Sequence, residues 1–419
     1  MFLYSEVNIF DKWRLTLSNF FAGTTRPPHR DRVISLGNGL PLVPERLLLA
    51  HARGQVLFIA GAGISMPAGL PDFRKLVVDT YAKLDTGVHA VLQSSKDDEV
   101  GDLNGLTSQQ IAEVRRFKRR DYDVVLGMLE RRIDDKPAGT SRVRSAVTEV
   151  LRAASTTPAP IHRALMQLAD RGGTSTIVTT NFDLLLQGGA NRKTKLQTYS
   201  LGGIPRPGRS SEFAGVLHIH GALDQNSKRM SDLVFTDRDF GEFYMHRRTV
   251  PDFIYDAARL FHLVLVGYSA DDPPMRYLLN AIAADGMRFD DLKERFTFVG
   301  LEALDPVLVE DWKGRGITPI AYDSKDYHQS LLDLLERWAT LSAVNGKLSK
   351  IDAEIKRIVK KPRNTVNESD RDLFDHLMRR GNSSERIRLS RLASKAGAEI
   401  GWLEAIAEIV TEQESENSI

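Results

Sequence analysis

Six short runs of almost unbroken apolar residues recur along the chain: 56-VLFIAG-61, 175-STIVTTN-181, 215-GVLHIHG-221, 261-FHLVLVG-267, 296-FTFVG-300 and 317-ITPIAY-322. A strand covered on both faces loses the alternation of apolar and polar positions, so such runs predict buried parallel strands. Longer stretches separate them, with apolar residues every three or four positions, and these predict helices. Strands alternating with helices predict an α/β fold built on a doubly wound parallel sheet.

The interval between Asp72 and Thr174 breaks this rhythm. It includes 107-TSQQIAEVRRFKRRDYDVVLGMLERRI-133, rich in helix formers, and predicts a helical subdomain inserted over about residues 75–172. Its basic run 115-RRFKRR-120 reads as a solvated helix face in preference to a polyanion patch. From about residue 325 the pattern is helical to the end, through 328-HQSLLDLLERWATL-341, a charged bridge broken at Pro362, and 401-GWLEAIAEIV-410. At the other end Ile9, Phe10, Trp13, Leu17, Phe20 and Phe21 recur at helical spacing before the linker 24-TTRPPHRDR-32. That arm either packs on its own domain or forms an oligomer contact. The expected organisation is therefore an arm and linker over 1–39, a central domain over 40–340 and a helical region over 341–419.

Composition narrows the class. The 419 residues are 42% hydrophobic and 27% charged, as in ordinary soluble proteins, and the net charge of +2 points to neither nucleic acid nor an anionic membrane. The chain has no cysteine, which excludes disulfides, thiolate nucleophiles and cysteine-based zinc sites. Glu6, Asp11, Lys12 and Arg14 interrupt the apolar stretch at the start, so an export signal is not expected. No segment supplies the ~20 apolar residues of a membrane span. A cytoplasmic protein is the expectation.

Candidate chemistry gathers at the ends of the apolar runs. Gly61 and Gly63 lie where the first run must turn into a helix. Missing side chains let backbone N–H groups approach a phosphate, the helix amino end adds about half a positive charge, and Ser65 adds a hydroxyl. Met66 takes the place of the third glycine in G-x-G-x-x-G, so a tight structural turn reads the same letters equally well. Pro71 is expected to stop the helix and leave Asp72, Phe73 and Arg74 on a loop, where Arg74 can pair with an anion. In an open parallel sheet, ligands bind beyond the carboxyl ends of the strands. Three further runs end in polar clusters, 179-TTNFD-183, 218-HIHG-221 and 267-GYSADD-272, which suggests one shared crevice. His218 and His220, two apart on a strand and near Asp224, could form a metal pair. No third and fourth ligand is apparent, so His218 is read as a hydrogen-bonded core histidine and no metal site is expected.

The string Gly61-Ala62-Gly63-Ile64-Ser65, with Gly69-Leu70-Pro71-Asp72-Phe73-Arg74, resembles the sirtuin family. The later clusters follow in the family's order. Thr180-Asn181-Phe182-Asp183 resembles its Gln-Asn-Ile-Asp, His220-Gly221 its catalytic His-Gly, and Gly267-Tyr268-Ser269 its Gly-Thr-Ser, so the resemblance spans roughly residues 45–325. It implies a Rossmann-like sheet that takes NAD+ as a substrate. By that resemblance Gly61, Ala62, Gly63, Ser65, Asp72, Phe73, Arg74, Thr180, Gly267, Tyr268 and Ser269 would bind the dinucleotide. Asn181 would orient ribose hydroxyls or water, Asp183 would hold the nicotinamide carboxamide, and His220 would be the general base.

The departures from the family matter as much. Deacylating sirtuins carry a four-cysteine zinc module that this chain cannot build, so no zinc is expected. The segment 231-SDLVFTDRDFGEFYMHRR-248 resembles that of bacterial sirtuin-like proteins, and Phe240-Gly241-Glu242 fall in a helical run, unlike the acyl-lysine strand of deacylases. The expectation is an NAD+ hydrolase that cleaves the nicotinamide–ribose bond. Bacterial sirtuin-like hydrolases with extra terminal helices resemble antiphage effectors that deplete NAD+, several paired with a HerA-type ring ATPase. A homo-oligomer and such a partner are implied, without membrane or nucleic acid. The alternatives are a deacylase that does without zinc and a non-catalytic sensor of NAD or ADP-ribose.

Overall fold

The computed structural model describes residues 32–94, 103–134, 141–153, 157–191, 196–208, 212–223, 233–267, 278–279, 282–283, 291–301 and 306–416. The amino-terminal arm read at residues 9–21 therefore lies outside the described residues, as do Asp224, Tyr268 and Ser269. The described chain opens with a small antiparallel hairpin, β1 (Val33–Ser35) and β2 (Leu42–Pro44), followed by α1 (Glu45–Ala52).

Next comes the first strand of the main sheet, β3 (Val56–Ala60), and then helices α2 (Phe73–Leu84), α3 (Thr86–Ser94), α4 (Ser108–Lys118), α5 (Tyr122–Ile133), α6 (Arg142–Ala153) and α7 (Pro160–Ala169). The sheet resumes with β4 (Thr176–Thr179), the short helix α8 (Leu185–Gly189), β5 (Gln197–Tyr199) and β6 (Gly215–His218). After it come α9 (Asp237–Phe240), continued by a π-helical turn over Gly241–His246, then α10 (Thr249–Leu260), β7 (His262–Val266), β8 (Arg295–Leu301), α11 (Pro306–Gly314) and β9 (Thr318–Asp323). The chain ends in α12 (Lys325–Leu341), α13 (Leu348–Ile358), α14 (Glu368–Arg380), α15 (Ser383–Lys395) and α16 (Ile400–Glu416).

Among the described residues the main sheet has seven strands in the order β5-β6-β4-β3-β7-β8-β9, and every pairing is parallel. All six apolar runs became strands of this doubly wound sheet. The edge strand β5 and the hairpin were not legible, because three-residue strands carry little periodicity and β5 is largely exposed. Burial on both sides is visible residue by residue. Along β3, Val56, Phe58 and Ala60 face one apolar cluster, while Leu57 and Ile59 face another. Leu47 of α1, Leu165 of α7 and Trp338 of α12 cover the first face. Ile254 and Ala257 of α10 and Trp312 of α11 cover the second. The last helices join the first cluster through Ile355, Phe374, Leu377, Leu389 and Trp402.

Helices α2 to α6 enclose a third cluster of their own, built from Val77, Tyr81, Val114, Phe117, Leu126 and Val147 together with Phe235. The basic run at its edge is a solvated face, with Arg115, Arg116, Arg119 and Arg120 exposed. Arg144 ties this helical layer to the segment ahead of α9. Its guanidinium donates to Leu233 O at 2.9 Å and pairs with Asp239 and Glu130.

Candidate active site

The strand order places the chain reversal at β3, which has β4 on one side and β7 on the other. Ligands of open parallel sheets sit outside the carboxyl ends of strands at such a point. The residues that leave β3, β4 and β6 there are Gly61–Ser65, Thr180–Asp183 and Ile219–Gly221.

The glycine turn is built differently from the phosphate cradle expected of it. Gly61 N donates to Val266 O at 3.0 Å and Gly63 N to Gly267 O at 2.8 Å, so both amides are engaged across the β3–β7 junction. A Cβ on Gly63 would stand 2.9 Å from Gly267 O, and one on Gly267 would stand 2.6 Å from Ile64 N, with Gly267 also held at φ +62°. These glycines are needed because two backbones touch. Gly61 and Gly63 thus offer no amide to a phosphate in this arrangement, which leaves Ala62, exposed at the tip, as the accessible part of the turn.

A second expectation is corrected just downstream. Instead of one helix cut short by Pro71, two 3-10 turns (Ala62–Ile64 and Met66–Ala68) are closed by Gly69 at φ +87°. Asp72, Phe73 and Arg74 are not on a free loop. Asp72 is the N-cap of α2, its Oδ1 accepting from Lys75 N at 2.7 Å, and Phe73 and Arg74 form the first turn. Phe73 meets Tyr122 edge-on at 5.9 Å, and the Arg74 guanidinium lies 5.3 Å from the Phe117 ring. A cap fixes where the helix starts, and Asp satisfies that need as well as any residue.

The turn and β4 converge on Ser65. Asn181 Nδ2 donates to Ser65 Oγ at 2.9 Å and to Gly61 O at 3.1 Å. Ser65 Oγ donates to Asp183 Oδ2 at 2.8 Å, while Asp183 Oδ1 accepts from the N–H of Leu185, the first residue of α8, at 3.0 Å. Thr179 holds the strand end straight. Its hydroxyl donates to Ala60 O and accepts from Asn181 N, and Thr180 N donates to Ala60 O. Both amide hydrogens of Asn181 are consumed, so its Oδ1 is the polar atom of that side chain not used by these contacts.

Two histidines on β6 have separate environments. His218 Nδ1 meets Asn181 O at 2.8 Å, and its Nε2 meets Gln187 Nε2 at 2.8 Å. A carbonyl only accepts and an amide nitrogen only donates, so His218 carries its proton on Nδ1 and is a satisfied core histidine. Its two nitrogens are both in use, which removes it from any metal pair. Burial lowers its pKa. β6 ends at His218, so His220 lies in the turn beyond and does not share its face. His220 Nε2 shares a 2.7 Å hydrogen bond with Tyr244 OH, and the rings of Phe240 and Tyr244 meet the imidazole edge-on. Burial pushes its pKa down to about 3, so it is neutral at neutral pH. Tyr244 sits in the π-helical turn, a backbone form frequent at functional sites.

The structure thus brings together Ser65, Asn181 and Asp183, sets His220 at the adjacent strand end, and uses Asp72 and Gly63 structurally. Reading the sequence missed His162, Gln187 and Tyr244. Each lies outside the strand-end clusters, and only the fold brings it alongside them. A cavity of about 300 Å³ elsewhere, beneath the hairpin turn, is lined by Arg337, Glu354, Arg357 and Asp370, which already pair with one another.

Residues 175–320 match the family profile described as the SIR2-like domain, a stretch that contains Asn181, Asp183 and His220 and begins after the glycine turn. Over 291 residues, 68% of this chain, the sequence is 31% identical to "Uncharacterized protein y4cA" of Sinorhizobium fredii. The aligned part is 22% of that relative, so the chain spans about a fifth of its length. Among solved structures, a Sir2 homologue in complex with NAD aligns at 15% identity and a TM-score of 0.34, over 72% of this chain and 95% of its own. A Sir2 enzyme solved to study mechanism and regulation aligns at 15% identity and a TM-score of 0.33, over 70% and 96%. Matches at that level place no residue of the site.

Proposed function

We propose that this protein hydrolyses NAD+ at the bond between nicotinamide and ribose. The observation that carries the reading is the convergence of Ser65, Asn181 and Asp183 at the carboxyl ends of β3 and β4, beside His220 at the end of β6. In the reaction the bond from ribose C1′ to the pyridinium nitrogen breaks, and its electron pair leaves with neutral nicotinamide. The oxocarbenium-like centre that remains is met by the Asn181 amide oxygen and the Asp183 carboxylate, dipole and charge held in place before the charge develops. Water adds to C1′ and its proton passes to solvent, giving ADP-ribose. So electrophilic a centre needs little help from a base. A neutral imidazole that accepts a hydrogen bond from the incoming water is adequate, which suits the low proton affinity of His220.

Water is favoured over an acyl-lysine acceptor because Phe240 and Tyr244, both on a helical segment, pack directly against His220 and bury it. In this reading the dinucleotide is a substrate that would pass Ala62 and Thr180, the residues beyond the carboxyl ends of β3 and β4. The biological role that fits such destructive chemistry is antiphage defence by NAD+ depletion, with the terminal regions serving homo-oligomer formation or docking to a HerA-type ring ATPase.

The test is to incubate the purified protein with NAD+, with and without an acetylated peptide, and to follow nicotinamide. Release without peptide is the expected result. Release that needs the peptide would make the protein a deacylase, and NAD+ binding without release would make it a sensor.

A further inference from the structure

We infer that His162 is a positioning residue for the proposed reaction, acting through Ser65 to hold Asp183 and Asn181 in their working orientation. The inference rests on the hydrolase reading and adds a residue that lies in no strand-end cluster. His162 is in the first turn of α7, wholly buried, and Ala159 N donates to its Nδ1 at 3.1 Å. A nitrogen that accepts an N–H bond carries no proton, so the neutral ring must hold its proton on Nε2. That Nε2 lies 3.4 Å from Ser65 Oγ.

The consequence for Ser65 follows from counting. A hydroxyl has two lone pairs and one hydrogen. His162 Nε2 and Asn181 Nδ2 supply two donors for the lone pairs, so the single hydrogen is directed to Asp183 Oδ2, at 2.8 Å. Without His162 one lone pair of the Ser65 hydroxyl would have no donor, and the Asn181 and Asp183 contacts alone would set its direction. Backbone packing holds the imidazole in place, since a Cβ on Gly189 of α8 would stand 3.0 Å from His162 Cβ. The helix that starts at Pro160 is thus aligned so that one ring both closes its first turn and sets the direction of a hydroxyl in the site.

Two substitutions separate those roles. In His162→Gln the amide oxygen can take the Ala159 N–H while its NH2 still reaches Ser65. His162→Asn, one methylene shorter, can keep the helix-start contact but falls short of Ser65. The expected result is that His162→Gln stays within about threefold of the wild-type kcat for nicotinamide release. His162→Asn should lose about tenfold in kcat, with KM little changed, the loss of roughly one hydrogen bond. Equal kcat in the two variants, or losses that follow their thermal midpoints, would overturn the inference and leave His162 a packing residue.

A second measurement needs no variant. Nitrogen-15 spectra of the wild-type imidazoles should show His162 protonated on Nε2, and the opposite tautomer would overturn the inference. Wild-type protein that releases no nicotinamide would sink the hydrolase reading and this role with it, whereas an active wild type with indistinguishable variants sinks the role alone.

Discussion

Two buried polar clusters, each containing a neutral histidine and a carboxylate, show what position in the fold does to similar chemistry. The first joins Ser65 to Asp183, 118 residues apart, and lies at the carboxyl ends of the strands, with Ser65 and Asn181 buried and Asp183 half-buried. The second joins Glu45 of α1 to His376 of α14, 331 residues apart, and is sealed, with both side chains 5% exposed. In the first, neutral donors direct the hydrogen bonds and one amide oxygen is left over. In the second, burial would raise the Glu45 carboxyl, but the His376 hydrogen bond and the guanidinium groups of Arg379 and Arg32 outweigh it and hold it below the usual range. A charge enclosed that fully serves to seat the carboxy-terminal helices against α1. A polar group left with spare capacity at a strand end is available for chemistry.

The contrast can be broken from either side. Asn181→Ala and His220→Ala should each lower nicotinamide release by about 10²-fold or more while circular dichroism still reports the native fold. Activity close to wild type in both would move the chemistry elsewhere. Glu45→Ala should do the reverse. It removes the carboxylate that His376 and Arg379 share, leaving Arg379 its contact with Glu412, and should cost on the order of 3 kcal/mol of stability in urea denaturation, with the rate per folded molecule unchanged. A stable Glu45→Ala protein would show that the carboxy-terminal helices are seated by apolar packing alone.

Acid should act on both clusters. The folded state keeps His51 neutral to about pH 4 and His220 to about pH 3, and burial also lowers His162, His218 and His376. The unfolded chain binds these protons near the ordinary value of 6.5, so it takes up more protons than the folded state below that pH. Stability is therefore full above about pH 6.5 and falls as the pH drops toward 4. The urea midpoint at pH 5 should lie clearly below that at pH 7.5, and equal midpoints would mean the histidines are not held neutral. The smallest effect concerns Asp72. Asp72→Ala should cost about 1 kcal/mol and Asp72→Asn only a few tenths, as for a helix cap. If Asp72→Asn instead weakens NAD+ binding in calorimetry, the carboxylate contacts the dinucleotide in addition to capping α2.

These expectations also measure how much was legible beforehand. The six parallel strands were, because a strand enclosed on both faces must be apolar at successive positions, as 56-VLFIAG-61 is. The polar strand ends were legible for a related reason, since Asn181 and Asp183 follow an apolar run at its carboxyl end. The use of the glycines was not. Gly63 is required by Gly267, about two hundred positions away in the chain, and a glycine that receives a phosphate is written with the same letter as one that receives another backbone. Nor could the role of Asp72 be read, because a capping aspartate and a ligand-binding one are identical until the Lys75 amide is seen to point at it.

What the amino-acid order determined by itself was local: which segments are apolar throughout, which repeat at helical spacing, which end in polar groups, and that no thiolate chemistry is available. The tertiary structure alone decided which of those groups meet. His162 precedes β4 by more than a helical turn and carries no periodic signal of its own, yet it reaches Ser65 because α7 packs under β3. Tyr244 reaches His220 only because the chain after β6 folds back as a helix over it. Hydrogen bonds act over about 3 Å and do not depend on separation along the chain. A site made of such bonds is therefore settled by packing.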